Sequence, residues 1–228
     1  NIMKFNSILF LGRHNCSYTI KIRKFLKKKS KNFQYIESKK YGDKLHKSKI
    51  KKKSYDFIFS FRSFYIIKSF LIKRCKIAAI NFHPGPPEYR GIGCINYALY
   101  EKAKFYGCTA HLIAEKIDKG KIINVKKFKI AKLDDLDTCL KKTHKASYKQ
   151  AISLFKSLLK DKNFLKKSIK KNSKFKWSKK IKTKKDLDNF YKINLKSTNQ
   201  DIINKIRATY TKNYKPYISL KNKKYYLY

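Results

Sequence analysis

Three side chains of the sequence could act together on one substrate: the amide of Asn81, the imidazole of His83 and the carboxylate of Asp118. Asn81 and His83 stand two residues apart at the end of a predicted strand, so both point to the same face and can reach one cleft. An amide N–H can donate to an oxygen that gains negative charge, and an imidazole can donate to it or move a proton. A nearby carboxylate would favour the charged imidazole.

Each of these residues also has a simpler interpretation. A histidine at a strand end can be a structural residue, and Asp118, two residues before Gly120, can be an ordinary turn aspartate. The segment 83–93, HPGPPEYRGIG, favours a site, because it holds three of the four prolines and three of the seven glycines. Such a loop fixes the backbone beside the imidazole at low entropic cost.

The elements that must position these side chains alternate between strands and helices. Predicted strands cover residues 6–12, 33–37, 55–61 and 77–82, and predicted helices cover 18–29, with Ser17 as a cap, 66–73 and 95–103. The runs 55–61 and 77–82 are apolar, as in strands covered on both faces. The pattern predicts an α/β fold with a mostly parallel sheet, and the loop 83–93 leaves the carboxyl end of a strand, where open α/β sheets bind ligands.

The second half of the chain predicts a smaller appendage after the main domain. Strands at 108–115 and 121–130, joined by a turn, precede a long helix that begins near Asp134. We expect a catalytic domain over 1–160 and an α+β appendage over 161–228. The appendage is predicted as a basic linker at 161–175, a helix capped by Thr183, a helix at 198–210 capped by Ser197, and a hairpin over 217–228.

The charge of the chain allows two explanations. The 228 residues hold 59 Lys and Arg against 14 Asp and Glu, a net charge of +45, yet residues 75–123 carry only seven basic and four acidic side chains. Codon bias in an AT-rich genome would add lysine to surfaces and spare a constrained segment, whereas a surface for nucleic acid would need the charge. Hydrophobic residues make up 42% of the chain, which excludes a disordered basic tail.

The cysteines and the apolar runs indicate the compartment. Five scattered cysteines without a C-x-x-C pair argue against a disulfide framework and a metal site, and favour a reducing cytoplasm. No run reaches the ~20 apolar residues of a membrane helix, and the start of the sequence does not resemble a signal peptide. We therefore expect a cytoplasmic protein with no metal and no membrane partner.

Four segments in order carry a resemblance to a known family: NFHPGPPEYRG at 81–91, NYALY at 96–100, GCTAHLI at 107–113 and IDKGKII at 117–123. They closely resemble the folate-dependent formyltransferases, which include glycinamide ribonucleotide, methionyl-tRNA and sugar-nucleotide N-formyltransferases. The resemblance implies a Rossmann-like domain and an enzyme that moves a formyl group from N10-formyltetrahydrofolate to an amine. It matches Asn81, His83 and Asp118 to the family's catalytic residues.

The chemistry of formyl transfer suits these three residue types. The formyl oxygen gains negative charge as the amine attacks, and Asn81 and His83 can donate to it. His83 can later protonate the departing folate nitrogen, and Asp118 can hold the ring in its charged form or receive the amine's proton through water.

The resemblance also implies binding residues around this centre. It places the pterin against the backbone of two segments, whose residues are Phe64, Tyr65, Ile66, Ile67, Leu112, Ile113, Ala114, Glu115 and Ile117. It places Arg90, Gly91 and Thr109 near the amine substrate. Without the resemblance, Phe64 and Tyr65 are ordinary core aromatics, Arg90 is a solvated loop arginine, and His111, on the same strand face as Thr109, is a structural histidine.

The acceptor amine is predicted from the ends of the chain. The turn after the first strand, GRHNCS at 12–17, has a single glycine and departs from the glycine-rich phosphate loop of the glycinamide enzymes. The tail after residue 160 is short for the barrel of the methionyl-tRNA enzymes and resembles the compact tail of the sugar-nucleotide enzymes, which are often dimers. We expect a nucleotide-linked amino sugar as substrate and a possible homodimer. A methionyl-tRNA formyltransferase and a nucleic-acid-binding protein on a decayed core are the alternatives, and Trp177 could stack on a base or pack the tail.

Overall fold

A computed structural model describes residues 3–114, 118–221 and 223–228. Its main sheet has six strands: β1 (Phe5–Arg13), β2 (Ser30–Ser38), β3 (Tyr55–Phe61), β4 (Cys75–His83), β5 (Phe105–Leu112) and β6 (Ile122–Lys129). They lie in the order β2-β1-β3-β4-β5-β6. The first four strands are parallel, and β5 and β6 are added antiparallel at one edge. The predicted Rossmann-like α/β fold with a mostly parallel sheet is confirmed.

The described helices are α1 (Ser17–Lys28), α2 (Ser69–Ile72), α3 (Cys94–Tyr100), α4 (Leu136–Lys160), α5 (Phe164–Lys171), α6 (Lys184–Phe190) and α7 (Asn199–Thr209). Two cap predictions differ from the structure, because Cys16 precedes α1 and the Thr198 hydroxyl, not Ser197, caps α7. The predicted helix at 66–73 shrinks to the single turn α2. Thr183 caps α6 in a complete capping box, as predicted.

Both faces of the sheet are covered, which is why its central strands are mostly apolar. On one face Phe10, Phe59 and Phe82 pack against Phe155 of α4, together with α1. On the other face Leu9, Leu11 and Ile58 form a second core with residues from the loops and α2. Alternate residues of β1 therefore belong to different cores.

The segment predicted as a basic linker is instead a packed helix. In α5, Phe164, Leu165 and Ile169 contact the first core, and the Ser168 hydroxyl donates to the Ile123 carbonyl oxygen at 2.7 Å. These apolar residues recur at helical spacing, and the surrounding lysines hide the pattern. The domain boundary at residue 160 stays a prediction.

The C-terminal part lies against the loop that follows β4. Residues 177–182, which we call the crossing segment, donate backbone hydrogen bonds from Ser178 to Pro87 and from Lys182 to Arg90, and accept one from Ile92. Beyond α7, strands β7 (Tyr217–Leu220) and β8 (Lys223–Tyr226) form the predicted hairpin. No helix in the described ranges combines the length and apolar character needed to cross a membrane.

Candidate functional site

The loop after β4 is held in one shape by buried polar contacts. The Tyr106 hydroxyl donates to the Pro84 carbonyl oxygen at 2.8 Å, and the Thr109 hydroxyl donates to the Gly85 carbonyl oxygen at 2.7 Å. Thr109 has no exposed surface. In this conformation a substrate does not reach Thr109, contrary to its expected role, and its side chain holds the loop.

The three predicted catalytic residues lie together at the carboxyl end of β4. Nδ1 of His83 lies 3.4 Å from Oδ2 of Asp118. His111 is a fourth member, because its Nε2 lies 3.3 Å from Oδ1 of Asp118 and 3.2 Å from Nδ2 of Asn81. The carboxylate therefore stands between two imidazoles, with the amide beside one of them.

Sequence reasoning treated His111 as structural and missed this contact. Strands β4 and β5 pair with Asn81 opposite His111 and His83 opposite Thr109. One feature of the sequence pointed to His111, since it shares a face of β5 with Thr109. The sequence does not give the antiparallel register of β4 and β5, which places that face beside Asn81.

Burial and charge act in opposite directions on Asp118, which is 9% exposed. Burial alone would raise the pKa of Asp118, but His83, His111 and Arg90 together lower it to about 2. The side chain is therefore a carboxylate at neutral pH.

His83 is 3% exposed, and both of its ring nitrogens face an acceptor. Nδ1 faces Asp118, and Nε2 lies 3.0 Å from the Tyr89 carbonyl oxygen. Burial lowers the pKa of His83 more than Asp118 and Tyr89 raise it, so the ring is neutral at rest. The neutral His83 ring has one N–H, which can donate to only one of these two acceptors. When the ring takes up a second proton during a reaction, the new N–H can donate to the other acceptor.

Trp177 of the crossing segment covers the two imidazoles. Its ring centroid lies edge-on 5.7 Å from that of His83 and 5.0 Å from that of His111, and its Nε1 donates to the Gly120 carbonyl oxygen at 2.8 Å. Of the two interpretations of Trp177, packing holds. Among the four cluster residues, Asn81 alone is partly exposed, and the other three are buried.

The residues expected to bind the pterin lie in two segments on either side of β4. After β3, Tyr65 is buried and donates from its hydroxyl to the Glu37 carbonyl oxygen, whereas Ile66 is 65% exposed. Ile67 and Ile113 pack in the second core, where the Ile113 N–H donates to the Ala79 carbonyl oxygen at 2.8 Å. Leu112 and Ala114 are partly exposed, while Glu115 and Ile117 lie outside the described residues.

Arg90 and Gly91 lie in the loop beside the cluster. Arg90 is buried, not solvated, and its charge helps to lower the pKa of Asp118. Gly91 has a φ of 96°, and a Cβ there would collide with the Lys182 carbonyl of the crossing segment. Arg90 is therefore an interior residue of the loop, and Gly91 allows the loop to lie directly against the crossing segment.

Two cysteines near the cluster, Cys94 and Cys108, are small buried residues. Burial raises the pKa of Cys94, whose thiol donates to the Gly91 carbonyl oxygen, and raises that of Cys108 to about 12. Neither thiol is prepared as a nucleophile. Among the described side chains no group of three or more His, Cys, Asp or Glu is arranged to hold a metal ion.

A cavity of about 950 Å³ reaches from Phe64, and from Pro84 and Gly91 in the loop that follows His83, to the C-terminal hairpin. None of the four cluster residues is among its lining residues. Its walls combine cationic and aromatic side chains, among them Arg13, Lys39, Lys40, Tyr41, His144, Lys184, Tyr191, Tyr214, Lys215 and Tyr226. Such a lining suits a ligand that carries both negative charge and a flat ring.

Comparisons with known proteins agree with this geometry. Residues 15–154 match the family model described as formyl transferase. The bifunctional polymyxin resistance protein ArnA of Wigglesworthia glossinidia brevipalpis is 31% identical over 141 residues, which cover 61% of this chain and 20% of that protein. The chain thus spans about a fifth of that relative's length.

Solved structures share the fold over almost the whole chain. A 4-N formyltransferase from Francisella tularensis superposes with a TM-score of 0.71 at 19% identity, covering 97% of this chain and 96% of that one. The N-formyltransferase from Helicobacter canadensis, solved with folinic acid and dTDP-3-aminofucose, superposes with a TM-score of 0.68 at 22% identity, covering 96% and 86%.

Proposed function

Because the chain belongs to the formyl transferase family and is a formyltransferase, we propose that it moves a formyl group from N10-formyltetrahydrofolate to the primary amine of a nucleotide-linked amino sugar. The observation that carries the proposal is the Asp118 carboxylate between His83 and His111, with Asn81 beside them. This cluster supplies a hydrogen-bond donor for an oxyanion and a site for one more proton.

Asn81 stabilises the developing oxyanion, and His83 transfers the proton. An N–H of the Asn81 amide donates to the formyl oxygen as the amine attacks the formyl carbon, a contact of about 3 kcal/mol in comparable sites. The proton that the amine loses reaches the neutral His83 through water, because the ring is buried and both of its nitrogens face protein oxygens. Asp118 and the Tyr89 carbonyl then stabilise the charged ring. The same proton then goes to the departing folate nitrogen.

The segment after β3 fits a folate through its backbone. Within the described residues, the N–H groups of Ile66 and Ile67 make no hydrogen bond, and the exposed Ile66 side chain offers an apolar surface. A pterin needs donors and acceptors at its edge and apolar contact on its faces. The binding role of this segment rests on that fit and on the family resemblance, and the role of the segment after β5 rests on the resemblance alone.

The lining of the cavity supports a nucleotide-linked amino sugar as the acceptor. The cavity opens beside the loop at Gly91 and carries Arg13, Lys39 and Lys40 near Tyr41. These side chains suit a diphosphate joined to a flat base. The Helicobacter enzyme, which shares the fold, was solved with such a nucleotide-linked amino sugar.

The test is to incubate the protein with N10-formyltetrahydrofolate and a panel of amino-sugar nucleotides, and to measure tetrahydrofolate release and formylated product. We expect product with at least one nucleotide sugar, and its loss in His83→Ala but not in His46→Ala, a control on an exposed histidine. Wild-type rates in a folded His83→Ala protein would overturn the mechanism. Transfer to methionyl-tRNA alone would overturn the sugar acceptor.

A further inference from the structure

Two arginines meet where the sheet order reverses. Arg13 is the last residue of β1, and Arg62 directly follows β3 in a left-handed conformation, with a φ of 54°. The strands pair with Gly12 opposite Phe61, so the two arginines leave neighbouring strands at the same level. The chain turns to β2 on one side of β1 and to β3 on the other, and this is the crevice where open α/β sheets bind ligands.

No carboxylate balances these charges within the described residues. None of the ion pairs found there includes either arginine, and Glu37, at the end of the next strand, pairs with His14. Burial and the charge of Arg62 lower the pKa of Arg13. Burial and both arginines lower the pKa of His144, on α4, to about 3. Like charges held together in this way favour an anion between them.

The choice of arginine separates this cluster from the general positive charge. The chain has 53 lysines and only six arginines, so lysine is its default cation, yet two of the six stand here. A guanidinium binds a phosphate through two parallel N–H bonds, which an ammonium cannot do. Random gain of basic residues would have supplied lysines.

Arg13 lines the cavity and Arg62 does not, and both side chains are held in place. The Arg13 guanidinium lies 4.5 Å from the centroid of the Phe64 ring, and Arg13, Phe64 and His144 line the cavity wall. The Arg62 Nη1 donates to the Cys16 thiol at 3.2 Å, immediately before α1. The amino end of that helix adds a partial positive charge.

We propose that Arg13 and Arg62 bind the diphosphate of the acceptor, an inference that rests on the proposed formyl transfer to a nucleotide-linked amine. Arg13, Arg62 and His83 end three adjacent strands, which lie ~4.8 Å apart. The proposed phosphate site therefore lies at the same edge of the sheet as the catalytic cluster.

The experiment measures binding of UDP, dTDP and inorganic diphosphate to the full chain by calorimetry, without folate. We expect Arg13→Gln and Arg62→Gln each to weaken nucleoside diphosphate binding about tenfold to a hundredfold. The matched control for Arg13→Gln is Arg23→Gln, which removes an arginine that also lies over an aromatic ring, 4.7 Å from the Tyr35 centroid, but outside the cavity lining. Its affinity should stay within about twofold of wild type.

The Cys16 thiol gives an independent readout. Burial raises the pKa of Cys16, but hydrogen bonds from Thr19 and Arg62 with the charge of Arg62 lower it overall. Because Cys16 is only 5% exposed, the readout is the change in its alkylation by iodoacetamide when a ligand is added. A diphosphate that engages Arg62 should slow the alkylation of Cys16 and leave Cys75 unchanged, as counted by peptide mass spectrometry.

The outcomes separate the two proposals. Equal affinity in both variants, or an equal loss in Arg23→Gln, overturns the diphosphate site, as does tRNA binding that depends on Arg13 and Arg62 without nucleotide binding. Arginine-dependent nucleotide binding without formyl transfer keeps the site and overturns the activity. Circular dichroism melting of each variant shows that loss of affinity is not loss of fold.

Discussion

Replacing Asp118 by asparagine removes one charge from the cluster and replaces one of its two acceptor oxygens with an N–H donor. Asp118 has a φ of 46°, a left-handed conformation that asparagine also accepts. The partners of the carboxylate lower its pKa from 3.8 to about 2. Each pKa unit corresponds to about 1.4 kcal/mol, so they favour the charged form by about 2 kcal/mol.

We expect this loss to appear in the rate. The charged His83 ring formed during transfer would lose about 2 kcal/mol of stabilisation at most, so kcat should fall about thirtyfold. The pKa of His83 should also fall further, because Asp118 raises it, and the acid limb of the kcat/KM profile should move to lower pH.

The assay is tetrahydrofolate release at saturating substrate, measured from acid to alkaline pH. The control is Asp161→Asn, which removes an exposed carboxylate paired with Lys167. A folded Asp118→Asn protein with a rate within about twofold of wild type, or an unmoved acid limb, would refute the role of the carboxylate.

Four further outcomes follow from the same geometry. Asn81→Ala should lower kcat about a hundredfold or more with little change in melting temperature, and equal rates would exclude an oxyanion contact. His111→Ala should lower kcat more than it raises KM, because it frees Asn81 and Asp118 rather than a substrate contact, and His111→Gln should recover part of the rate. Trp177→Ala should admit water to His83, so the acid limb should move to higher pH, and an unchanged limb would contradict the shielding. The charged Asp118 stabilises the fold by about 2 kcal/mol above about pH 4, the usual pKa of an aspartate, and this contribution should disappear between about pH 4 and pH 2. Urea unfolding of the wild type and Asp118→Asn over this pH range would measure the loss.

The sequence predicts the fold and the core of the site because the informative signals are local. The run 55–61 has the bounds of β3, since five of its seven residues are aromatic or aliphatic, as in a strand covered on both faces. Asn81 and His83 share a face by simple alternation, and the prolines and glycines of 83–93 locate the loop. Each of these inferences needs only neighbours in the chain.

The contacts missed by sequence reasoning join residues far apart in the chain. His111 reaches Asp118 through the register of β4 and β5, and Trp177 arrives from the segment after α5, which its lysines disguised as a linker. Arg13 and Arg62 meet because β3 returns beside β1. No local pattern fixes a register or the side of a sheet to which a strand returns.

The crossing segment has a consequence for the modularity of this protein. Trp177 shields imidazoles contributed by β4 and β5, and Lys182 is bonded to the loop at Arg90 and Ile92. A chimera joined at residue 160 would cover the catalytic residues with the C-terminal part of another protein. Without Trp177, His83 and His111 would be more exposed to solvent. Swapping acceptor preference between relatives therefore requires the transplanted piece to begin after Lys182, so that the indole travels with the rings it covers.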